Sequence, residues 1–348
     1  MLNLIKPPRL QAGDKVAAVS LSWGGAGDPQ TLWRYEQGKR RLQEVFGLQV
    51  VEMPYTLAGS DFVYRHPELR AADWMEAFSD PSIKGIFSCI GGNDSARLLP
   101  YIDFDLIRRN PKVFIGYSDT TALHFMCLKA GLSSFYGPAI LSDFAENVSL
   151  PAYTRNAVAK ALFCSEPIGR VEPSPVYTGQ YLAWEEKNKD TARVFSQNTG
   201  YELLQGSGAA QGPLIGGCLE TLETLKGTAI FPAVACFDKA ILFLETSECK
   251  PPVWFVEDAL RNLGVAGILN RLSGLFFGKP MSGHLYGEYA AMIQKVLKEF
   301  GLENLPVLLN GSFGHNEPKT VLPYGAVARI DCNDASFSIL DAGTANRD

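Results

Sequence analysis

Short apolar runs alternate with amphipathic stretches of helical length along the first half of the chain. A short apolar run bounded by turn residues predicts a buried strand, and apolar positions three or four apart predict a helix. Because strands that alternate with helices form βαβ units and a parallel sheet, we predict an open, flavodoxin-like α/β lobe over residues 1–165. The predicted strands are Lys15–Leu21, Gln49–Met53, Gly85–Cys89 and Val113–Ile115, and the predicted helices are Thr31–Phe46, Pro67–Phe78 and Thr120–Lys129.

This pattern breaks down between residues 166 and 211. The stretch is polar, carries charged residues over Glu185–Asp190 and ends in the turn Gly206-Ser207-Gly208. We interpret it as a connection between two lobes. Residues 212–348 mix strand-like and helix-like segments and predict a mixed α/β lobe. These segments are Ala240–Leu244, Val256–Leu263, Gly274–Phe277, Glu288–Phe300, Val307–Leu309 and Ala326–Leu340.

Length, composition and charge agree with a two-lobed globular protein. A single hydrophobic core stops growing near about 250–300 residues, and this chain has 348 residues, 46% of them hydrophobic and 20% charged. The formal net charge of −5 argues against nucleic acid or an anionic membrane as partner, because both attract a basic surface. We therefore expect neither nucleic acid nor a membrane as partner.

The chain start, Met1–Pro8, shows no charged segment followed by a long apolar one, and the apolar runs are too short to span a bilayer. We predict a cytoplasmic protein.

The seven cysteines, at positions 89, 127, 164, 218, 236, 249 and 332, form no C-x-x-C pair. Neither a zinc site nor a disulfide framework is indicated, and reduced thiols are the simplest interpretation.

The strongest local motif is Phe114–Thr121, in which an apolar strand ends at Gly116, Ser118 follows on a turn and a helix begins at once. Such a strand–turn–helix elbow exposes the serine oxygen, and the N–H groups at the helix start can stabilise an oxyanion. The match to G-x-S-x-G is partial, because the last position is Thr120. The alternative is that Ser118 or Asp119 only caps the helix.

A second strand-to-helix turn contains Gly91, Gly92 and Asn93. Paired glycines let the backbone approach a ligand closely, and in a parallel sheet this turn and Ser118 share the carboxyl edge. A phosphate-binding loop is not favoured, because G-x-x-x-x-G-K-[ST] is absent. A plain tight turn is the alternative.

A serine nucleophile needs a base, and the chain has four histidines. His284 and His315 lie in glycine-bearing loops after apolar strands and are both plausible bases; we favour His315. His124 lies within the helix after the elbow, where a packing role is expected, and His66 precedes a proline in a polar loop. An acid should orient the base. Glu245, directly after a buried strand, is the natural partner, with Glu248 in reserve.

Taken together, these segments resemble the family of LD-carboxypeptidases and microcin C immunity peptidases over nearly the full length. Each motif is weak alone, but seven occur in order. They are Lys6-Pro7-Pro8 with Gly13-Asp14, Gly91-Gly92-Asn93-Asp94, Gly116-Tyr117-Ser118-Asp119, Gly212–Leu219, Leu244-Glu245-Thr246-Ser247-Glu248, Gly274–Gly278, and Gly314-His315 with Pro323-Tyr324-Gly325.

The resemblance implies a serine peptidase or amidase with a Ser-Glu-His triad at Ser118, Glu245 and His315. It implies an oxyanion hole from the backbone N–H groups of Gly92 and Asp119. It also implies a two-lobed homodimer that uses no metal and no cofactor.

Two branches of that family differ in substrate. One trims murein tetrapeptide in peptidoglycan recycling, and the other cuts the amide-type bond between an aminoacyl or peptidyl group and a nucleotide, which confers immunity to microcin. The polar connection with Trp184 resembles the second branch, where a tryptophan stacks on the nucleobase. Gly91, Asn93, Glu248 and Lys250 are the further expected substrate contacts.

Three interpretations therefore stay open at this point. The first is an immunity-type hydrolase, the second is a murein LD-carboxypeptidase, and the third is a noncatalytic α/β module that binds a nucleotide or sugar through its two glycine turns. The first interpretation would be weakened if Trp184 were only a packing residue, because it depends on Trp184 stacking on the nucleobase. A histidine and a glutamate at strand ends in the second lobe favour an enzyme, because a binding module needs neither.

Overall fold

The computed structural model describes residues 2–347. Its helices are α1 (Leu32–Phe46), α2 (Ser60–Arg65), α3 (Pro67–Ser79), α4 (Phe104–Arg109), α5 (Thr121–Ala130), α6 (Ala152–Leu162), α7 (Leu219–Leu225), α8 (Val253–Val265) and α9 (Tyr286–Glu299). Its strands are β1 (Lys15–Val19), β2 (Gln49–Glu52), β3 (Ile83–Ser88), β4 (Val113–Gly116), β5 (Phe135–Tyr136), β6 (Gly169–Arg170), β7 (Val176–Tyr177), β8 (Ser196–Gln197), β9 (Glu202–Gln205), β10 (Ala209–Cys218), β11 (Ile241–Glu245), β12 (Gly274–Gly278), β13 (Val307–Gly311), β14 (Leu322–Pro323), β15 (Val327–Asp331) and β16 (Ser336–Ile339).

The first lobe is built on a parallel sheet in which five strands follow the order β2-β1-β3-β4-β5. This is the flavodoxin-like strand order, which places ligands at the carboxyl ends of the strands. The central strands β3 and β4 are apolar and buried along almost their whole length, as expected for a sheet covered on both faces.

The second lobe contains an eight-stranded mixed sheet. Its centre is the parallel set β10-β11-β12-β13, with β9 antiparallel on one side and β15, β16 and β6 antiparallel on the other. The predicted fold class, a parallel-sheet lobe followed by a mixed α/β lobe, is confirmed. The segment 166–211, which we interpreted as a connection, contributes β6 and β9 to this sheet and carries the short β7–β8 hairpin.

The two lobes interlock through a strand and a set of aromatic rings. Strand β14 comes from the second half of the chain but pairs with β5 at the edge of the first sheet. The Phe243 ring lies 5.5 Å from Tyr136 and 5.3 Å from Tyr324, measured between centroids. Because these side chains are fully buried, the two lobes share a hydrophobic core at this contact. Within residues 2–347, no helix is both long and apolar enough to cross a membrane.

Candidate active site

Ser118 lies two residues beyond the end of β4, on a single 3₁₀ turn that leads directly into α5. Its backbone φ is +63°, which is uncommon for a residue with a side chain and is typically maintained at functional sites. This conformation belongs to a sharp elbow rather than to a simple helix cap, and no side-chain capping bond is formed by the residue that precedes this turn or by the one that precedes α5.

Buried hydrogen bonds fix this elbow on both sides. The Asp119 carboxylate accepts hydrogen bonds from Ser22 Oγ at 2.6 Å and from the backbone N–H of Ser95 at 2.8 Å. The Thr121 hydroxyl donates to the Ser118 carbonyl at 2.7 Å and accepts from the Cys218 N–H at 3.1 Å. The elbow is therefore tied to two loops of its own lobe and to the end of β10 in the other lobe.

The second lobe brings an imidazole and a carboxylate to the serine. His315 Nε2 lies 3.0 Å from Ser118 Oγ, and His315 Nδ1 lies 2.8 Å from Glu245 Oε2. Glu245 is the last residue of β11 and is completely buried, while His315 follows β13. Because β11 and β13 run parallel, both groups emerge at the edge of the sheet that faces Ser118.

The position of Glu245 is fixed by two further donors. The backbone N–H of His315 donates to Glu245 Oε2 at 3.2 Å, and the Tyr136 hydroxyl donates to Oε1. The same hydroxyl accepts from the Ser118 N–H at 3.1 Å. Burial opposes ionisation of Glu245, but His315 and Tyr136 outweigh it and keep the carboxyl pKa below its usual value. Glu245 is therefore a buried, ionised acceptor for the imidazole.

The glycine turn after β3 lies directly against the elbow. A Cβ on Gly91 would be 2.8 Å from Ser118 Cβ and 3.2 Å from the Asp119 nitrogen, so only glycine fits without a shift. A Cβ on Gly92 would meet Ser22 Oγ at 2.3 Å, and Asn93 is exposed beside them. The turn is braced by the next residue, Asp94, whose carboxylate pairs with the buried guanidinium of Arg70 at 2.8 Å.

Comparison with known proteins gives this arrangement a family. The LD-carboxypeptidase N-terminal domain matches residues 16–137, and the LD-carboxypeptidase C-terminal domain matches residues 211–330. The chain belongs to the LD-carboxypeptidase family. It is therefore a serine-type carboxypeptidase or hydrolase, which removes the noncatalytic binding module from the alternatives.

Three relatives of this chain illustrate the similarity. The microcin C7 self-immunity protein MccF of Escherichia coli is 30% identical over 290 residues, which cover 82% of this chain and 82% of that protein. The structure of MccF with aspartyl sulfamoyl adenosine has a TM-score of 0.86 and 28% identity, and covers 98% of this chain and 100% of that one.

The other two relatives are MccF-like proteins of known structure. The protein from Streptococcus pneumoniae, in complex with AMP, has a TM-score of 0.86 at 33% identity over 94% of this chain and 98% of that chain. The protein from Bacillus anthracis has a TM-score of 0.83 at 30% identity over 96% of this chain and 99% of that chain.

The three histidines other than His315 have partners away from Ser118. His124 is fully buried, with Nε2 2.9 Å from the Gly116 carbonyl and Nδ1 2.8 Å from Ser134 Oγ. His66 pairs with Glu68. His284, which the sequence left open as a base, lies in the 3₁₀ turn region after β12, and its backbone N–H bonds to Met281. Of the four histidines, all of which lie within residues 2–347, His315 is the one that contacts Ser118.

Glu248 and Lys250 lie on the exposed loop after β11. Glu248 Oε2 is 3.0 Å from His315 Nε2, so it contacts the opposite nitrogen from Glu245. The contact with His315 lowers the pKa of Glu248 to about 2. Burial by itself would lower the pKa of His315, because it disfavours the charged imidazolium. The negative charges and hydrogen bonds of Glu245 and Glu248 have the larger effect and raise the imidazole pKa to about 10.

Trp184 is half-buried and packs within an aromatic and cationic group. Its ring is stacked with Trp23 at a centroid distance of 6.2 Å and an interplanar angle of 26°, and Arg34 Cζ lies 4.6 Å from its centroid. The Trp33 indole N–H donates to the Trp184 carbonyl at 3.2 Å. Trp184 is thus held in place by residues from the first lobe. The backbone N–H of Trp23 in turn donates to the Gly91 carbonyl at 3.0 Å.

The segment that carries Trp184 is anchored by a buried charge network. Arg193 pairs with Glu146 and, at 2.6 Å, with Glu317. Lys319, fully buried, pairs with Asp143 at 2.7 Å and with Glu317 at 3.0 Å. The network thus joins the 178–198 segment to the loop that follows His315.

One group of side chains in residues 2–347 could in principle hold a metal ion. Cys218, Glu245 and His315 each place a ligand atom within 4.8 Å of the others. Burial and the nearby carboxylates keep the pKa of the Cys218 thiol well above its usual value, and Glu245 and His315 already bind each other. A metal at this position would have to displace that hydrogen bond, so these three side chains do not form a ready metal site.

Sequence reasoning missed Tyr136, Trp23 and the charge network around Lys319. Tyr136 lies in a two-residue strand, and no sequence pattern links it to Glu245, which is 109 residues away. Trp23 follows β1 at the carboxyl edge of the sheet, where a ligand is expected. That position was an available signal for Trp23.

Proposed function

We propose that this chain hydrolyses the amide-type bond between an aminoacyl or peptidyl group and a nucleotide. The observation that carries the hydrolysis of an amide bond is the continuous contact from Ser118 Oγ through His315 to the buried Glu245 carboxylate. A nucleophile bonded to a base, and the base bonded to an orienting acid, is the arrangement used for acyl transfer on many unrelated folds.

In the first step, Ser118 Oγ attacks the carbonyl carbon and its proton moves to His315 Nε2. The resulting oxyanion receives hydrogen bonds from the N–H groups of Asp119 and Gly92, close to the start of α5. The bond from carbon to the leaving nitrogen then breaks, and the nitrogen takes the proton from Nε2. A water molecule, deprotonated by His315, cleaves the acyl-serine ester and returns the proton to Ser118. Glu245 holds the hydrogen on Nδ1 throughout.

The nucleotide part of the substrate is assigned to the tryptophan group. A flat aromatic side chain stacks on any base and contributes about 1–3 kcal/mol per base. Trp184 and Trp23 present such a pair of rings. The complexes of the relatives with AMP and with aspartyl sulfamoyl adenosine support this assignment. Asn93 and Lys250, both exposed, are proposed as polar contacts.

The second candidate is a murein tetrapeptide LD-carboxypeptidase, which the family name favours. It would use the same three residues on a different amide. We favour the nucleotide because the tryptophan pair suits a base and has no evident function with a short peptide. The homodimer and the cytoplasmic location stay predictions.

The test compares the two substrates directly. Wild-type protein and Ser118→Ala are incubated with alanyl-sulfamoyl adenosine and with murein tetrapeptide, and the released products are quantified by liquid chromatography. We expect the wild type to release sulfamoyl adenosine and Ser118→Ala to release none while its circular dichroism is unchanged. Turnover by Ser118→Ala at the wild-type rate would refute the nucleophile, and preference for tetrapeptide would select the second candidate.

A further inference from the structure

One nitrogen of His315 faces two different partners. Nε2 lies 3.0 Å from Ser118 Oγ and also 3.0 Å from Glu248 Oε2. The other nitrogen, Nδ1, is already bonded to Glu245 at 2.8 Å. Because a ring nitrogen carries at most one hydrogen, the two contacts at Nε2 place different demands on the imidazole.

The contact with Glu248 fits only the charged form of His315. An ionised carboxylate is purely an acceptor, so Nε2 must carry a hydrogen to bind it. Attack by Ser118 requires the opposite, because Nε2 must then offer a lone pair to the serine hydroxyl. A neutral imidazole with its hydrogen on Nδ1 would direct that lone pair at the Glu248 carboxylate, which is repulsive. Glu248 at Nε2 and a working Ser118–His315 pair therefore exclude each other.

The remaining groups around His315 do not relieve this conflict. Glu245 adds a second negative charge, and Cys218, at the end of β10, is held as a neutral thiol by burial. Tyr117 packs edge-on against the imidazole at 5.0 Å between centroids and carries no charge. The two carboxylates together raise the pKa of His315 to about 10 although burial opposes it.

The buried cation that packs against Tyr117 is committed to other partners. Lys319 Nζ lies 4.2 Å from the centroid of the Tyr117 ring, but it is paired with Asp143 and Glu317. It lowers the pKa of Glu248 only as a minor contribution after that of His315. Nothing in this network therefore competes with His315 for the Glu248 carboxylate.

Glu248 itself is free to exchange partners. Its side chain is 61% exposed, and within residues 2–347 His315 is its one ion-pair partner. Solvent screens a pair that has an exposed member, so such a contact is easily replaced. A carboxylate that is exposed, ionised and next to the nucleophile is suited to bind a cation on the substrate.

We propose that Glu248 is the subsite for an ammonium group of the substrate, and that pairing with this group draws the carboxylate away from Nε2 and frees His315 to act as base. The inference rests on the proposed function for the identity of the cleaved bond, and it narrows the substrate class. The ammonium group nearest to the attacked carbonyl is the α-amino group of the acyl residue. A nucleotide that carries one unblocked amino acid therefore fits, and an N-acylated or peptidyl one does not.

The kinetic test uses a pair of substrates that differ only at the amine, alanyl-sulfamoyl adenosine and its N-acetyl derivative. We expect wild-type kcat/KM to favour the free amine by about tenfold or more, since only this substrate gains the charged contact. In Glu248→Gln, kcat/KM should fall for the free amine and rise for the N-acetyl substrate, because the subsite and the competing carboxylate are removed together. Glu288→Gln, an exposed change of the same charge on α9, should alter neither.

A fall in kcat/KM for one substrate together with a rise for the other distinguishes loss of a subsite from structural damage, because damage would lower kcat/KM for both substrates. Parallel decreases, or wild-type discrimination retained in Glu248→Gln, would overturn the inference. The acidic limb of the kcat/KM profile, which reports the base in the free enzyme, should also move to lower pH in Glu248→Gln.

A second measurement separates this inference from the proposed function. The His315 imidazole is titrated by NMR in ¹⁵N-histidine-labelled Ser118→Ala, with and without the Glu248→Gln change. A fall of about one pH unit or more in its titration midpoint is expected when Glu248 is neutralised. If the wild type hydrolyses neither substrate, the proposed function fails, and the titration alone then tests whether Glu248 acts on His315. An unmoved midpoint overturns the inference in either case.

Discussion

Tyr136 and Glu245 share a hydrogen bond that crosses from one lobe to the other. The phenol ends β5 in the first sheet, and the carboxylate ends β11 in the second. Because the same phenol oxygen accepts the backbone N–H of Ser118, one side chain sets the distance between the elbow and the acid that orients His315. The alignment of the site thus depends on the contact between the lobes.

The first prediction concerns this phenol. Tyr136→Phe should lower kcat by about tenfold to a hundredfold, since a hydrogen bond to a charged group contributes about 1.5–3 kcal/mol and about 1.4 kcal/mol is tenfold in rate. Steady-state kinetics on alanyl-sulfamoyl adenosine measure the effect. Tyr324→Phe is the matched control, because Tyr324 is equally buried but donates to the Gly216 carbonyl. Equal losses of kcat in both variants would mean that the phenol acts only through stability.

The second prediction concerns the space between the glycine turn and the elbow. Gly91→Ala should displace the proposed donor N–H of Asp119, because the new methyl group would lie 2.8 Å from Ser118 Cβ and 3.2 Å from the Asp119 nitrogen. We expect kcat/KM to fall by about 10²–10³, the usual cost of losing one oxyanion-hole donor. Gly287→Ala in α9, where a Cβ meets nothing within 4 Å, should remain active. An active Gly91→Ala enzyme would place the oxyanion hole elsewhere.

Sequence patterns predicted the parallel core of both lobes because apolar runs such as those of β4 and β11 are short, continuous and bounded by turns. They did not predict β10, whose sequence contains Gly212, Gly216 and Gly217. In a sequence pattern, such glycines indicate the end of a strand. In the structure they lie within β10, and a Cβ on Gly212 or Gly216 would lie 1.7 Å from a backbone oxygen of the neighbouring segment. The glycines are needed for close packing, which only the three-dimensional structure shows.

The candidate site was likewise predictable only in part. Ser118, Glu245 and His315 could be proposed because each directly follows an apolar strand or lies in the loop after one. The partner of each nitrogen of His315 could not be proposed, because Glu245 and Glu248 are three residues apart and sequence does not say which way each side chain points. The Arg193 network was hidden for another reason: its carboxylates, Glu146 and Glu317, come from distant loops without secondary structure.

The third prediction concerns the anchor of the segment that carries Trp184. Arg193→Met should destabilise the protein by about 3–5 kcal/mol, the cost of leaving a buried charge without its partner, since Glu146 would lose its pair. KM for the nucleotide substrate should rise as the segment loosens. Arg170→Met, at an exposed ion pair, should change stability by less than about 1 kcal/mol. Urea unfolding and steady-state kinetics measure the two effects, and a stable Arg193→Met variant with unchanged KM would contradict the anchor.

The last prediction concerns the buried His124, which supports the elbow through the Gly116 carbonyl. Burial lowers the pKa of His124 to about 3 from a usual value of 6.5, although the bond to Gly116 opposes the shift. The folded protein therefore binds this proton less readily than the unfolded chain. Its contribution to stability is present above about pH 6.5 and is lost progressively as the pH falls towards about 3.

Between pH 7 and pH 5 this loss amounts to about 2 kcal/mol. Urea unfolding of the wild type at the two pH values should show it, together with contributions from other groups that titrate in this range. His124→Gln keeps a donor for the Gly116 carbonyl but cannot titrate, so it should be less stable at pH 7 and should lose about 2 kcal/mol less than the wild type on acidification. Identical pH dependence in the two proteins would mean that burial does not lower the pKa of His124 and that the folded protein binds this proton as readily as the unfolded chain does.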